Sequence, residues 1–290
     1  MDTVLVQAII TGLLLGGVYA AYSAGFSLIF GVMGVVNLAH GELIMLGAFT
    51  SYWMFQILNV DPYLSAPIAA VFLFGLGYVV QKYIINRVID QPPIMSYILT
   101  FGIHLVVANI AVKLWTHDFR SVTTTYSGAN AAFWGLNVPY ARLATFCLAL
   151  MVIGSLWLFV NRTETGRVIR ATSMDKDMAR LLGVNVREIY ALTFGIGAAI
   201  TGLAGACISP FVIIFPEMGL EYTIVAFCVV VLGGMGYIPG ALLGGLTLGV
   251  AQSLAATYLS AGVSVAVTFM ILFFMLVFRP RGIVGKGFIA

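Results

Sequence analysis

From Tyr222 to Phe278 the chain carries no charged residue. In water such a run would expose far more contiguous apolar surface than a soluble domain presents. In a bilayer it must satisfy every backbone N–H and C=O internally, which favours helices. A helix needs about 20 apolar residues to cross, so this run is long enough for two or three crossings, with a break expected at Gly236-Tyr237-Ile238-Pro239-Gly240. Other uncharged or nearly uncharged segments are Val4–Phe30, Leu43–Leu58, Tyr63–Val80, Ile94–Trp115, Leu143–Val160 and Ile189–Ile208. Only 9% of the chain is charged, against about 25% in soluble domains. A transmembrane β-barrel would alternate apolar and polar residues in short segments, and no segment does. The expected fold is all-α: one polytopic transmembrane helical bundle over residues 1–290, with about eight to ten spans and glycine-rich broken or re-entrant segments. The opening MDTVLVQA lacks the basic stretch of a cleaved signal, so the first span is expected to be retained.

Charge is concentrated in one island, Asn161–Glu188, which holds ten of the twenty-five charged residues and six of the fourteen Lys and Arg. Basic residues collect on the cytoplasmic side of membrane proteins. If the island is inside, Lys82, Arg87 and the tail residues Arg279, Arg281 and Lys286 fall there too, which makes eleven of the fourteen. The C-terminus is then cytoplasmic, while Lys113, Arg120 and Arg142 lie outside. The longest outer loop, about Thr116–Arg142, is rich in Thr, Ser, Asn and Gly, with Phe133 and Trp134 towards its end.

Small residues recur at helical spacing: Gly12, Gly16, Ala20 and Ala24; Gly197, Thr201 and Gly205; Ala198 and Gly202; Ala241, Gly245 and Gly249. Such stripes let helices approach closely in lipid, where packing replaces the hydrophobic drive. Two glycine clusters are different in kind. Gly31 and Gly34 run on to Asn37, His40, Gly41 and Glu42, and Gly233, Gly234 and Gly236 run on to Pro239-Gly240. Paired glycine-interrupted segments point to a transport site, so these residues are candidates for a translocation path or gate. Glu42 is the only acid between Asp2 and Asp61. It lies two residues from His40, a spacing that does not share a helix face. The alternative for Asn37, His40 and Glu42 is that they satisfy backbone groups freed at the break. His104 is expected to be a packing residue, and Cys147, Cys207 and Cys228 small core residues. Glu217 and Glu221 are expected at the outer edge, in reach of water.

Within the island, Thr172-Ser173-Met174-Asp175 reads as a helix start, and Met174, Met178, Leu181 and Leu182 form one apolar stripe. Gly183 suits the C-terminal cap. The predicted element is a short amphipathic helix, Met174–Leu182, too short to stand alone. It needs either lipid headgroups or a soluble partner to dock on. No nucleotide-cradling Gly-x-x-x-x-Gly-Lys-Ser/Thr, His-Glu-x-x-His or Gly-x-Ser-x-Gly pattern occurs.

Gly31-Val32-Met33-Gly34-Val35-Val36-Asn37-Leu38-Ala39-His40-Gly41-Glu42, followed by Met45-Leu46-Gly47-Ala48, resembles the signature of the Liv-type branched-chain amino acid ABC transporter permease family. Arg170-Ala171-Thr172 through Gly183-Val184 resembles that family's cytoplasmic coupling segment. Leu232–Gly236 through Ala241 and the closing Arg279-Pro280-Arg281-Gly282 are similar as well. The resemblance implies a permease subunit of a bacterial inner-membrane importer, with no enzymatic activity and no cofactor of its own. It implies as partners a second related permease, two cytoplasmic ATP-binding subunits that use ATP and Mg, and a periplasmic solute-binding protein, with no nucleic acid. It also implies that the island helix enters a groove on an ATPase, with Arg170, Met174, Asp175, Asp177, Met178, Arg180, Leu181 and Gly183 in the coupling segment. The family also serves urea, aromatic acids and other small solutes, so the solute stays open. A stand-alone channel or secondary carrier is the rival reading.

Overall fold

The computed structural model describes residues 2–133, 136–279 and 282–284. Its helices are α1 (Asp2–Met33), α2 (His40–Leu58), α3 (Pro62–Tyr83), α4 (Pro93–Trp115), α5 (Tyr140–Arg162), α6 (Glu164–Met174), α7 (Lys176–Leu181), α8 (Val186–Ile208), α9 (Gly219–Gly233), α10 (Ile238–Tyr258) and α11 (Ala261–Phe278). Seven of them (α1, α3, α4, α5, α8, α10 and α11) are long and apolar enough to cross a membrane. The 19-residue α2 and the 15-residue α9 pack among them. The charge-free run resolves into α9, α10 and α11, with one break at Gly234–Tyr237 and another at Leu259–Ser260. Short polar side chains start several helices. Asp61 accepts from the Tyr63 amide at 2.9 Å ahead of α3, and Ser260 caps α11 at the Val263 amide.

The small-residue stripes are helix contacts. α1 lies on α10 along Gly12 and Gly16 facing Gly245 and Gly249. A Cβ on Gly16 would stand 2.6 Å from the Gly245 carbonyl oxygen, and one on Gly249 would stand 2.4 Å from that of Gly12. α8, the most buried long helix, meets α1 at Gly25–Gly197, α2 at Gly47–Gly202 and α3 at Leu73. α11 is the least buried and forms the periphery.

Within the loop after α4, Asn130–Phe133 and Leu136–Pro139 pair as an antiparallel hairpin, β1 and β2. Trp134 lies outside the described residues, and nothing is drawn from it. Cys147 is exposed on α5, whereas Cys207 and Cys228 are buried as expected. The island contains the end of α5, all of α6 and α7, and the start of α8. Lys82 bonds Glu188 of the island at 3.1 Å, and Ile169, Val186, Leu232 and Ile238 share one apolar cluster. The C-terminal ends of α3 and α9 and the N-terminal ends of α8 and α10 therefore gather at the island. Arg279 is described there too, and Arg281 and Lys286 lie outside the described residues.

The α1–α10 seam has no slack, so Gly16→Ala should destabilise by about 1–3 kcal/mol. Gly154→Ala, at a position with open space around the added carbon, should be neutral. Thermal unfolding of the purified variants in detergent measures both.

Candidate functional site

The first glycine cluster ends α1. Gly34 turns into the left-handed region at φ 65°, open to a residue without a side chain, and its amide still donates to the Phe30 carbonyl at 2.8 Å. The chain runs back into the bundle without helix until α2 begins at His40. His40 Nε2 donates to the Tyr22 carbonyl at 3.0 Å, so α2 starts level with the middle of α1. α9 starts at the same depth. A Cβ on Gly41 would lie 1.7 Å from the Gly219 carbonyl oxygen, and the Gly41 amide donates to Thr223 Oγ1 at 2.8 Å. Two broken helices thus meet N-terminus to N-terminus inside the bundle, α2 leading away from the island and α9 towards it.

Glu42 sits at this junction. It occupies the first turn of α2 and touches Gly219, the first residue of α9. Helix N-termini carry partial positive charge and favour an acid there. Glu42 is 2% exposed, and its Oε1 forms a 2.7 Å hydrogen bond with Nδ1 of His104, halfway along α4. His104 is therefore a partner of Glu42 and not merely a packing residue. α4 touches the bundle along a single stripe, Ser96, Thr100, His104, Ala108 and Ala111, and Thr100 Oγ1 accepts from the Leu38 amide at 3.3 Å beside the same break. Asn37 satisfies a freed backbone group, its Oδ1 accepting from the Ala39 amide at 3.0 Å, whereas His40 bonds a carbonyl inside the continuous α1. Glu42 does not cap a freed group, and among the described residues its Oε2 has no partner. Gly31 remains in the last turn of α1.

The second glycine cluster is elsewhere. Gly233, Gly234 and Gly236 lie at the far end of α9, where Gly234 and Gly236 adopt φ of 104° and 81°. The α9–α10 turn packs tightly there, since a Cβ on Gly233 would stand 2.0 Å from the Gly240 carbonyl oxygen. The Ile283 amide donates to the Leu232 carbonyl at 2.7 Å across it. The break that faces α2 is instead Pro216-Glu217-Met218-Gly219, whose Pro–Gly punctuation between apolar runs was the available signal. Glu217 is exposed and pairs with His117 at 2.8 Å, and Glu221 is exposed at the start of α9.

On the island, the predicted helix is shorter than its stripe. α6 continues to Met174, and Asp175 interrupts it at φ −154°, accepting from the Asp177 and Met178 amides at 2.9 Å each. The Thr172 and Ser173 hydroxyls donate back to the Val168 and Arg170 carbonyls of α6, so Asp175 is the cap, α7 starts at Lys176 and Met174 belongs to α6. Gly183 follows at φ 85° as expected of a C-terminal cap. Arg170 Nη1 donates to Asn161 Oδ1 at 2.8 Å and ties α6 to α5. Of α7 only Ala179 is buried. Met174, Met178, Leu181 and Leu182 are 58%, 54%, 82% and 79% exposed, so the stripe faces away from the chain's own bundle.

Asp90, ahead of α4, anchors α7. Its carboxylate takes Arg180 at 3.2 Å, Arg187 at 3.5 Å and Lys176 at 3.9 Å. Burial alone would raise the Asp90 carboxyl, but these cations outweigh it and hold it below the usual carboxylate range.

Residues 8–278 match the model of the branched-chain amino acid transport system permease component. The chain belongs to this permease family. It is 32% identical to the high-affinity branched-chain amino acid transport system permease protein BraD of Pseudomonas aeruginosa, over 97% of this chain and 95% of that one. It is 30% identical to the corresponding permease protein LivH of Escherichia coli, with the same coverage. The fold is similar to PsaBC from Streptococcus pneumoniae in complex with Fab, with TM-score 0.50, 14% identity and coverage of 93% and 91%. The permease match takes in the Glu42 junction, α6 and α7. As a family member with seven spans of sufficient length, this permease is a multi-pass membrane protein.

His104→Ala should cost this permease about 3 kcal/mol by stranding a buried carboxyl, and Glu42→Leu with His104→Leu should recover most of it, as read by thermal unfolding. A carboxyl with a lowered pKa stabilises above its ordinary pKa, and that contribution is lost as pH falls through the lowered value. Hydrogen exchange of the α7 amides should therefore be slow at neutral pH and speed up in acid below the usual carboxylate range, beyond the intrinsic change. Asp90→Asn should already exchange fast at neutral pH.

Proposed function

We propose that this chain is the membrane permease subunit of an ATP-driven ABC importer, and that it forms part of the path for branched-chain or related amino acids by alternating access. The reading is carried by one observation: a short helix, α7, is braced by Asp90 and its flanking residues turn an apolar stripe outward. An exposed stripe of this kind fits a groove on a soluble protein. The names of BraD and LivH support the solute class. A chain with no phosphate-cradling loop must receive its energy from another subunit, and α7 is the place where it would enter.

The partners in this reading are a second related permease, two cytoplasmic ATP-binding subunits that use ATP and Mg, and a solute-binding protein on the opposite face. The island and the C-terminus are cytoplasmic. ATP binding draws the two ATPases together, α7 rides with them, and Arg180 passes the displacement to Asp90 at the start of α4. The junction of α2 and α9, with Asn37, His40, Gly41 and Glu42, is the gate, because discontinuous helices can shift there without breaking a long ladder of backbone bonds. Gly34 at the end of α1 and Gly234 and Gly236 at the far end of α9 serve as the turns on which those helices move, with Gly31 and Gly233 in the helical turns just before them.

Leu181→Asp with Leu182→Asp should leave the bundle folded and lower ATP-dependent leucine uptake in proteoliposomes more than about tenfold, since each apolar side chain loses about 1.5–3 kcal/mol of burial against a partner. Co-purification of the ATP-binding subunits should fall in parallel. Uptake and co-purification at the unaltered level would sink the coupling role.

A further inference from the structure

α5 and α8 both pack along α1, but they meet each other only briefly. Between them runs a groove of about 390 Å³. Ser155, Leu156 and Phe159 line it from α5, and Ile196 and Ile200 line it from α8. Its walls are apolar, because the one hydroxyl, on Ser155, is turned onto the Val152 carbonyl at 2.9 Å. Leu156 is buried at the bottom, Phe159, Ile196 and Ile200 are half-buried, and Ser155 is exposed. The groove therefore opens on the outside of the bundle. Both helices are long and apolar enough to cross a membrane, so it opens towards lipid.

The island end of the groove is closed and basic. α6 packs on α1, α5 and α8 there, with Ile169 in the same apolar cluster as Leu156, Val160 and Val186. Ser155, Phe159 and Arg162 follow at i, i+4 and i+7, so the arginine continues the lining face of α5. Arg167 and Arg170 lie on α6 itself. Among the described residues Arg162 has no acidic partner, and Glu164, the acid beside it, turns to Arg167 at 3.8 Å. The start of α6 adds partial positive charge next to Arg162. Ser155 stands about 10 Å along α5 from Arg162, within the roughly 15 Å of hydrocarbon that one leaflet contributes.

We propose that this groove holds one anionic phospholipid from the leaflet on the island side, with its headgroup at Arg162 and Arg167 and one acyl chain between α5 and α8. Basic pockets between membrane helices take anionic headgroups, and the apolar walls suit a chain that needs no hydrogen bond. A helix of a neighbouring subunit would need small residues for close approach, whereas these walls are built from Leu, Phe and Ile. The inference requires only that α5 and α8 cross the membrane, and it stands apart from the importer reading.

The test is native mass spectrometry of the full-length permease, purified with the chains that accompany it, delipidated in detergent and titrated with phosphatidylglycerol or phosphatidylcholine. One phosphatidylglycerol per permease should be retained at concentrations where phosphatidylcholine is not. Arg162→Gln should raise the half-saturating concentration of phosphatidylglycerol about fivefold. Ile200→Trp fills the groove and should abolish retention, whereas Val71→Trp, on an exposed face of α3, should leave it unchanged. Phosphatidylglycerol should also raise the unfolding temperature of the wild type and not that of Ile200→Trp, and the same melts check that each variant is folded. If Ile200→Trp does not fold, Arg162→Gln decides. Equal retention of the two lipids, or unchanged binding in Arg162→Gln, overturns the site. So does a short bismaleimide cross-link from Ser155→Cys to a neighbouring subunit, because protein would then cover the groove.

Discussion

Backbone polar groups in a bilayer have no water to turn to, and this constraint shapes the centre of the molecule. α2 and α9 both begin in the interior, so each leaves unsatisfied amides at a depth where they are expensive. The fold answers with side chains drawn from other helices. Thr223 takes the Gly41 amide and Thr100 takes the Leu38 amide. His40, in turn, donates to the Tyr22 carbonyl. Glu42 places a carboxyl group where two helix starts converge. α4, which touches the bundle along one narrow stripe, is held there by the His104–Glu42 bond.

Close packing makes this junction possible. Gly41 and Gly219 let two backbones touch, and no side chain would fit between them. The same device runs along α1 and α10 and across α8. Glycine therefore does two jobs in this chain. At Gly12, Gly16, Gly245 and Gly249 it removes bulk within continuous helices, and at Gly34, Gly183, Gly234 and Gly236 it permits backbone angles that end them.

The long elements were legible because apolar runs and charge boundaries are local properties. The ends of α1, α3, α4, α5 and α8 fall within a few residues of the uncharged segments. The i, i+4 stripes found the α1–α10 and α8 contacts for the same reason. Relations between distant segments were not legible. Nothing local links Glu42 to His104, 62 positions away, or Asp90 to Arg180. The second glycine cluster resembled the first in composition, but it lies at the wrong end of α9 to face it. Thr172 and Ser173 turn their hydroxyls back onto α6 and leave the cap to Asp175, so the helix began later than the stripe.

The outward stripe of Met178, Leu181 and Leu182 has a consequence for how such a chain lives in a cell. On the proposed reading, a partner subunit covers this exposed apolar spot. Its stability then follows the abundance of the cover by mass action. Copies made in excess would be conspicuous to proteases at that spot while their membrane helices remained intact. Surplus copies would be cleared there, and the number that persists would follow the supply of the partner.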